Sequence, residues 1–279
     1  MTPTAPFVRF ATLWIQLTGT RCNLACVHCL NASSPGEPWL PAMTAGAIAR
    51  HIGDAERLGV KEIYLTGGEP FLHPDIMAIV GTALAVAPTT VLTNGTLISE
   101  PRADALAALA AAARYSLEIR VSLDEADEAS NDRVRGRDAF DKAVTALRRL
   151  HARGLLPILT ATEIGGGGPG AYERFRALLL SLGIDKPRVK ILPVFRLGRL
   201  ARDGDPPLTE AMLDGFDRSV LQCADSRVVA SGGVYACPIL AGLDVARLST
   251  DRLEDSFGPA PLSHPACVTC YETGMTCRN

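Results

Sequence analysis

The sequence predicts an α/β protein built on a parallel sheet, either a partly open barrel or a doubly wound sheet. Short apolar runs alternate six times with segments of helical periodicity before residue 200. Strands that alternate with helices of this length imply parallel pairing through right-handed crossovers. The chain has 279 residues, 47% of them hydrophobic, which is enough to bury a large core. Six units are too few to close an eight-stranded barrel, and periodicity does not choose between the two architectures.

The predicted elements follow one another at regular intervals. We expect strands at residues 11–17, 62–66, 90–93, 117–123, 157–162 and 189–194. We expect helices at residues 44–58, 74–86, 101–114, 138–153 and 171–182. A glycine run at residues 165–168 is predicted to be a connector, because no GK[ST] follows it.

The character of the chain changes after Arg199, where residues 203–207 are rich in Pro, Gly and Asp. We therefore predict a core domain over residues 1–200 and a small C-terminal module over residues 201–279. The module is expected to begin with a helix at residues 209–222 and to continue with a strand at residues 227–230.

Three cysteines, Cys22, Cys26 and Cys29, lie within eight residues directly after the first predicted strand. This spacing lets three thiolates converge on one iron–sulfur cluster and leaves one iron of a four-iron cube open to another molecule. The alternative is a structural zinc knuckle. A closed zinc site needs a fourth ligand nearby, and His28 is better placed to shield a cluster than to complete a tetrahedron.

Other unusual residues follow the next three predicted strands. They are Gly67, Gly68, Glu69 and Pro70 after the second strand, Asn94 and Gly95 after the third, and Ser122 and Asp124 at the end of the fourth. Ligands of parallel α/β folds bind at the carboxyl ends of the strands. We therefore expect these residues and the three cysteines to share one site.

The C-terminal module carries the other five cysteines: Cys223, Cys237, Cys267, Cys270 and Cys277. Cys223 and Cys237 flank a turn at Gly232-Gly233, as they would at the two ends of a β-hairpin. The CxxC pair at Cys267 and Cys270 suits two ligands of one metal centre. On spacing alone, zinc and an iron–sulfur cluster are equally plausible here, and Cys277 is left over or competes with the others.

Charge and hydropathy exclude several classes of protein. The net charge of −2 carries no basic excess, so extended contact with nucleic acid is not favoured. No apolar run is long enough for a membrane span, and no signal-peptide pattern is present. We expect a cytoplasmic protein without a membrane partner, in which eight cysteines are better explained as metal ligands than as disulfides.

The CxxxCxxC loop after the first strand, together with Gly67-Gly68-Glu69-Pro70 after the second, resembles the radical S-adenosylmethionine (radical SAM) superfamily over about residues 11–200. The resemblance implies a partial (β/α)6 TIM-like barrel. It implies that Cys22, Cys26 and Cys29 hold a [4Fe–4S] cluster whose fourth iron chelates SAM. The residues that would contact SAM are Gly67, Gly68, Glu69, Pro70, Asn94, Ser122, Asp124 and Arg135. Ser122 and Asp124 could instead merely end a strand, and Arg133 could replace Arg135.

The C-terminal pattern, Gly232 followed by Cys237 and later by a CxxC, resembles the SPASM/twitch auxiliary-cluster module. Five cysteines rather than the seven of a full SPASM module favour the shorter twitch form, with one auxiliary [4Fe–4S] cluster. That cluster is expected near the barrel mouth, where it could accept an electron from a substrate radical or bind the substrate. The implied metal ligands in the module are Cys223, Cys237, Cys267, Cys270 and Cys277.

The resemblance implies an oxidoreductase that cleaves SAM to a 5′-deoxyadenosyl radical and abstracts hydrogen from its substrate, with a flavodoxin- or ferredoxin-like reductant. About ten residues precede the first strand, too few for an N-terminal peptide-recognition domain. This favours a small-molecule substrate over a peptide. Two alternatives are a zinc-binding regulatory protein, which leaves the Gly-Gly-Glu motif unexplained, and a methyltransferase, for which no cobalamin-binding domain is visible.

Overall fold

The structure is a computed structural model that describes residues 2–164 and 170–274. The predicted glycine connector and Cys277 lie outside these ranges. The strands are β1 (Thr4–Ala5), β2 (Thr12–Gln16), β3 (Glu62–Thr66), β4 (Thr89–Thr93), β5 (Leu117–Ser122), β6 (Ile158–Thr162), β7 (Val189–Leu192), β8 (Ser226–Ala230), β9 (Gly233–Tyr235), β10 (Arg247–Ser249) and β11 (Ala260–Pro261). The α-helices are α1 (Ala45–Arg57), α2 (Ile76–Val86), α3 (Glu100–Ala112), α4 (Glu128–Arg135), α5 (Ala139–His151), α6 (Ala171–Ser181) and α7 (Ala266–Thr273).

A mostly parallel sheet organises the described residues, which confirms the α/β fold class. Its strand order is β10-β9-β8-β2-β3-β4-β5-β6-β7. The run from β8 to β7 is parallel throughout, while β9 and β10 add an antiparallel edge. The edges β10 and β7 do not pair with each other in the described residues, so the barrel is open.

The two faces of the sheet bury different clusters. On β2, Leu13 and Ile15 point toward the helices and pack in a cluster with Ile48 and Ile52 of α1. Trp14 points to the opposite face, where its ring stacks on Tyr64 with centroids 4.1 Å apart. This alternation is what period-2 side-chain geometry requires of a strand buried on both faces.

Most boundaries agree with the sequence prediction because local signals set them. Thr44 caps α1, its side-chain oxygen accepting the Ala47 N–H at 3.2 Å, and Gly59 follows the helix with a φ of +77°. Ser99 caps α3 in the same way.

Two helices differ between the sequence prediction and the structure, each for a local reason. The predicted helix at residues 209–222 is wrong: the segment forms turns and two short 3₁₀ turns, because Gly215 takes a left-handed φ of +70° and interrupts it. Helix α4 was not predicted. Its cap is Asp127, whose side chain accepts the Ser130 N–H at 2.9 Å.

The segment beyond residue 200 contributes directly to the main sheet. Strand β8 pairs in parallel with β2, Thr12 lying opposite Ser226, so the parallel sheet has one strand more than the six predicted before residue 200. Strands β8 and β9 form the expected hairpin between Cys223 and Cys237. The division at residue 200 stays a prediction. Among the described residues, no helix combines the length and the apolar character that crossing a membrane requires.

Candidate active site

A cavity of about 210 Å³ lies at the carboxyl ends of β2 to β5. Its walls include the three closely spaced thiols and most of the polar residues that follow the strands. Among the residues singled out from the sequence, those lining it are Cys22, Cys26, His28, Cys29, Gly67, Gly68, Asn94, Ser122 and Arg135. Glu69, Pro70 and Asp124 are buried behind this lining. Of the two alternative arginines, Arg135 lines the cavity, whereas Arg133 is exposed and donates to Ser130.

The cysteine loop, residues 22–29, is held by a close backbone approach from the glycines after β3. The Gly68 N–H donates to the Gly19 carbonyl at 2.8 Å, and the Glu69 N–H donates to the Arg21 carbonyl at 3.0 Å. A Cβ atom on Gly68 would lie 2.1 Å from the Arg21 carbonyl oxygen and 3.0 Å from the Cys22 Cβ. Only glycine lets these two chain segments meet.

The three thiols carry the donor chemistry of an iron–sulfur cluster. The Leu24 N–H lies 3.4 Å from the Cys22 sulfur, and the Ser33 N–H lies 3.2 Å from the Cys29 sulfur. Such N–H groups stabilise cluster thiolates. Burial raises the pKa of Cys22 to about 12 and also raises the pKa of Cys26. Cluster binding at neutral pH must therefore displace thiol protons.

The thiols line the cavity wall instead of meeting at one point. Within residues 2–164 and 170–274, no three His, Cys, Asp or Glu side chains lie close enough to hold a single metal ion. None of the seven cysteines in these ranges forms a disulfide. Three unpaired thiols around one cavity, with backbone N–H groups on their sulfurs, fit a [4Fe–4S] cluster.

Glu69 is fully buried and its carboxylate points away from the cavity. It accepts the N–H groups of Phe71 at 3.0 Å and Asn94 at 2.8 Å, and the Thr93 hydroxyl at 2.7 Å. Burial raises the pKa of Glu69, and these donors oppose the shift. The carboxylate thus ties the loop after β3 to the loop after β4. Its direct contact with SAM stays a prediction.

Asn94 connects the same loop to the cysteines. Its side-chain N–H₂ group lies 2.9 Å from the Asn23 Oδ1 and 3.8 Å from the Cys22 sulfur, while its Oδ1 accepts the Thr96 N–H at 2.9 Å. Asn94 therefore orients the first part of the cysteine loop.

Asp124 sits between two basic groups on the other side of the cavity. Its Oδ2 lies 2.7 Å from the Arg135 Nε and 3.2 Å from the His28 Nε2, and its Oδ1 accepts the Thr162 N–H at 2.8 Å. The Arg135 N–H does not point along the line to the oxygen, so the contact is an ion pair more than a linear hydrogen bond. Asp124 thereby fixes the guanidinium that faces the cavity.

The environment keeps Arg135 charged and His28 neutral. Burial by itself would lower the pKa of Arg135, but the Asp124 carboxylate and the Cys26 sulfur beside it outweigh that effect, so its pKa is raised. Burial lowers the pKa of His28, and Asp124 only partly opposes this. The cavity lining therefore includes the charged guanidinium of Arg135, which is paired with the Asp124 carboxylate behind it.

Arg199 lies in the segment after β7 and was missed by the sequence prediction. It binds the cysteine loop and the residues directly after that loop. Its guanidinium donates to the carbonyls of Cys26 at 2.8 Å, Ser33 at 2.6 Å and Ala32 at 3.2 Å. A Cβ on Gly198 would lie 2.3 Å from the Cys29 carbonyl oxygen. No local signal reveals this role, because the partners are more than 160 residues apart in sequence.

The second cysteine set gathers in an apolar environment. Cys223 is buried among apolar side chains, and Cys237, Cys267 and Cys270 pack against the same cluster. Burial raises the pKa of Cys223, and the nearby Cys237 and Cys267 add to the shift; burial likewise raises the pKa of Cys267 to about 12. Cys267 and Cys270 are three residues apart on α7, which places them on one face of the helix.

The expected position of this set near the barrel mouth stays a prediction. β8 runs parallel to β2, and Cys223 precedes β8. Cys237 follows the antiparallel strand β9 and returns to the same level. Residues next to these thiols face segments that follow the carboxyl ends of other strands, since Ile239 lines a cavity with Leu30, and Val268 of α7 lines one with Pro193.

Comparison with known proteins identifies the family. Residues 17–181 match the model of the Radical SAM superfamily, which is more than half of the chain. The chain belongs to the radical SAM superfamily. Its cofactors are accordingly a [4Fe–4S] cluster and SAM, and the cysteine loop is the segment of the chain that fits the cluster.

Several curated relatives resemble parts of the chain. Mycofactocin maturase MftC from Mycobacterium tuberculosis is 32% identical over 58% of this chain and 40% of its own length. GTP 3′,8-cyclase from Rhodococcus opacus is 35% identical over 50% of this chain and 39% of its own length. PqqA peptide cyclase from Streptomyces rochei is 26% identical over 82% of this chain and 69% of its own length. The chain thus spans well under half the length of the first two.

A solved structure shows the same fold over most of this chain. Streptococcus suis SuiB bound to the precursor peptide SuiA superposes with a TM-score of 0.68, at 16% identity, over 90% of this chain and 65% of that one. At this identity the likeness concerns the fold alone.

The close approach at Gly68 predicts a strong effect of a single methyl group. We expect Gly68→Ala to distort the Arg21–Cys22 backbone and to lower the iron retained after anaerobic cluster assembly. Gly53→Ala on α1 is the matched control, because nothing lies within 4 Å of its added Cβ. Iron and sulfide assays on both variants measure the effect. Equal iron in the two variants would contradict the role of the contact.

The buried ion pair predicts that Asp124→Asn destabilises the protein. Removing one partner of a buried pair typically costs about 3–5 kcal/mol, because the remaining charge of Arg135 is left uncompensated. The control is Asp127→Asn, an exposed N-cap at which Asn serves nearly as well. Urea unfolding of both variants compares the free energies. A loss no larger for Asp124→Asn than for Asp127→Asn would refute the pairing.

Proposed function

We propose that this radical SAM enzyme abstracts a hydrogen atom from its substrate at the cavity between β2 and β5, and that a second, auxiliary [4Fe–4S] cluster in a SPASM/twitch-type C-terminal module assists a net oxidation. The observation that carries the proposal is the convergence of Cys22, Cys26, Cys29 and the Arg135 guanidinium on one cavity. Cys22, Cys26 and Cys29 would hold the cluster, which, once reduced by an external one-electron donor, would supply the electron for reductive cleavage of SAM and thereby a radical able to take hydrogen from the substrate.

The residues of the chain hold and orient these partners. Arg135 offers a charged, fork-shaped donor suited to the carboxylate of SAM, and Asp124 fixes its direction. The Gly67-Gly68 backbone and the Asn94 side chain face the same space and can receive the amino and ribose groups. Glu69 and Arg199 act behind this surface, by fixing the loops that carry it.

The auxiliary cluster rests on the second thiol set. Four cysteines, Cys223, Cys237, Cys267 and Cys270, pack around one apolar cluster, which is the ligand number of a four-cysteine [4Fe–4S] centre. With all four irons held by protein, electron transfer is the role we propose, in preference to substrate binding. A contribution of Cys277 stays a prediction.

We propose a peptide as the substrate. Two of the proteins that resemble this chain over most of its length carry a peptide in their names, PqqA peptide cyclase and SuiB with its precursor peptide. The partial barrel is also open at one side between β7 and β10, within the described residues, which suits an extended ligand. This reverses the preference for a small molecule drawn from the sequence.

A small-molecule substrate is the second candidate. GTP 3′,8-cyclase, which acts on a nucleotide by its name, is 35% identical to half of this chain. A dehydrogenase of a small alcohol would use the same cavity and auxiliary cluster.

The proposal predicts two clusters with separable ligands. Wild-type protein should bind about eight irons and the Cys22/Cys26/Cys29→Ala variant about four, for one four-iron cluster at each site. An EPR signal of the reduced wild type should change on addition of SAM, and the signal of the variant should not. Anaerobic iron analysis and EPR measure both. Zinc in place of iron, or a signal indifferent to SAM, would rule the function out.

The substrate class predicts which compounds stimulate SAM cleavage. Holoenzyme with SAM and dithionite should form 5′-deoxyadenosine faster with a pool of synthetic peptides of mixed sequence than with nucleoside triphosphates or sugar alcohols, because a positioned substrate couples cleavage to hydrogen abstraction. Chromatography of 5′-deoxyadenosine measures the rate, with the triple cysteine variant as the blank. Stimulation by the small molecules alone would favour the second candidate.

A further inference from the structure

Arg227 is a fully buried arginine beside the second thiol set, with 0% of its surface exposed. It lies on β8, four residues after Cys223. The ion pairs of the described residues include none with Arg227, and its acidic neighbour Asp225 lies 3.9 Å from Arg9. A buried guanidinium without an anionic partner is costly.

In residues 2–164 and 170–274, the hydrogen bonds of the guanidinium all go to neutral groups. It donates to the carbonyls of Cys223 at 2.7 Å, Ser226 at 2.7 Å, Ser256 at 2.8 Å and Gly258 at 2.8 Å. Its carbon lies 4.2 Å from the centre of the Phe7 ring, a cation–π contact. These contacts fix the position of the charge and brace the backbone of Cys223 itself.

The surroundings leave this charge only partly compensated. Burial lowers the pKa of Arg227 to about 10, and the sulfurs of Cys223 and Cys237 oppose the shift. The guanidinium is therefore still charged at neutral pH. The guanidinium lies beside Cys223 and Cys237, so a negatively charged cluster held by these thiols would be its anionic partner.

We propose that Arg227 is the charge partner of the auxiliary cluster, bracing the Cys223 ligand and raising the reduction potential of the cluster. The assignment rests on the auxiliary cluster of the proposed function. A [4Fe–4S] centre with four cysteinate ligands is an anion when oxidised and gains one more negative charge when it accepts one electron. A fixed nearby cation stabilises the reduced form more than the oxidised form, and so makes the centre a better electron acceptor.

The experiment uses the full chain with Cys22/Cys26/Cys29→Ala, so that only the auxiliary cluster contributes. EPR-monitored titration with dithionite gives its midpoint potential in this parent, in Arg227→Gln and in Arg227→Lys. We expect Arg227→Gln to lower the ratio of reduced to oxidised cluster about tenfold at the midpoint of the parent, a shift of about 59 mV for one electron. Arg227→Lys keeps the charge and should shift the potential much less.

The matched control is Arg120→Gln. Arg120 is also buried, but it pairs with Glu118 at 3.0 Å and lies on β5, four strands away from β8. Its substitution should leave the potential unchanged. An Arg227→Gln potential equal to that of the parent, or a shift matched by Arg120→Gln, would overturn the assignment.

Loss of the cluster is also informative. If Arg227→Gln loses its iron while Arg227→Lys keeps iron and potential, the charge is required and the assignment stands. If both variants lose iron, Arg227 is a structural brace alone and its electrostatic role is wrong. A triple cysteine parent that binds no iron would instead contradict the auxiliary cluster itself, before Arg227 is tested.

Discussion

The cysteine loop has no helix or strand of its own, and the site depends on how neighbouring backbone segments hold it. The loop after β3 reaches it through Gly68, where a side chain would collide with the Arg21 carbonyl. The segment after β7 reaches it through Arg199, which donates to the carbonyl of Cys26 in the loop and to those of Ala32 and Ser33 just after it. Because these contacts use main-chain atoms, they fix the shape of the loop and leave its three sulfurs free to face the cavity.

Buried charge is handled differently at the two thiol sets. At the cysteine loop, Arg135 is paired with Asp124, so the local charge is nearly balanced before any ligand arrives. At the second set, the contacts of Arg227 within the described part of the chain are to carbonyls and an aromatic ring, and its ion pairs there include no carboxylate. The first arrangement suits recognition of an incoming anionic group by a preset donor. The arrangement at Arg227 favours binding of a negatively charged group beside the guanidinium.

Local patterns predicted most of the core strands and helices, because alternating apolar residues, caps such as Thr44 and terminators such as Gly59 act over a few residues. Motifs at strand ends also predicted many of the residues that line the cavity, whereas Arg135 on α4 was implied by the family resemblance. The sequence did not reveal the clamp of Arg199, the inward carboxylate of Glu69 or the pairing of β8 with β2. Each depends on contacts between segments far apart in the chain, and no short pattern encodes such contacts.

The parallel pairing of β8 with β2 connects the segments that carry the two thiol sets. The cysteine loop follows the carboxyl end of β2, and Cys223 precedes the amino end of β8. Between the two ends, the inner face carries the stacked rings of Trp14 and Tyr64. A displacement of β8 relative to β2 would therefore disturb both thiol sets at once, so neither site is mechanically independent of the other.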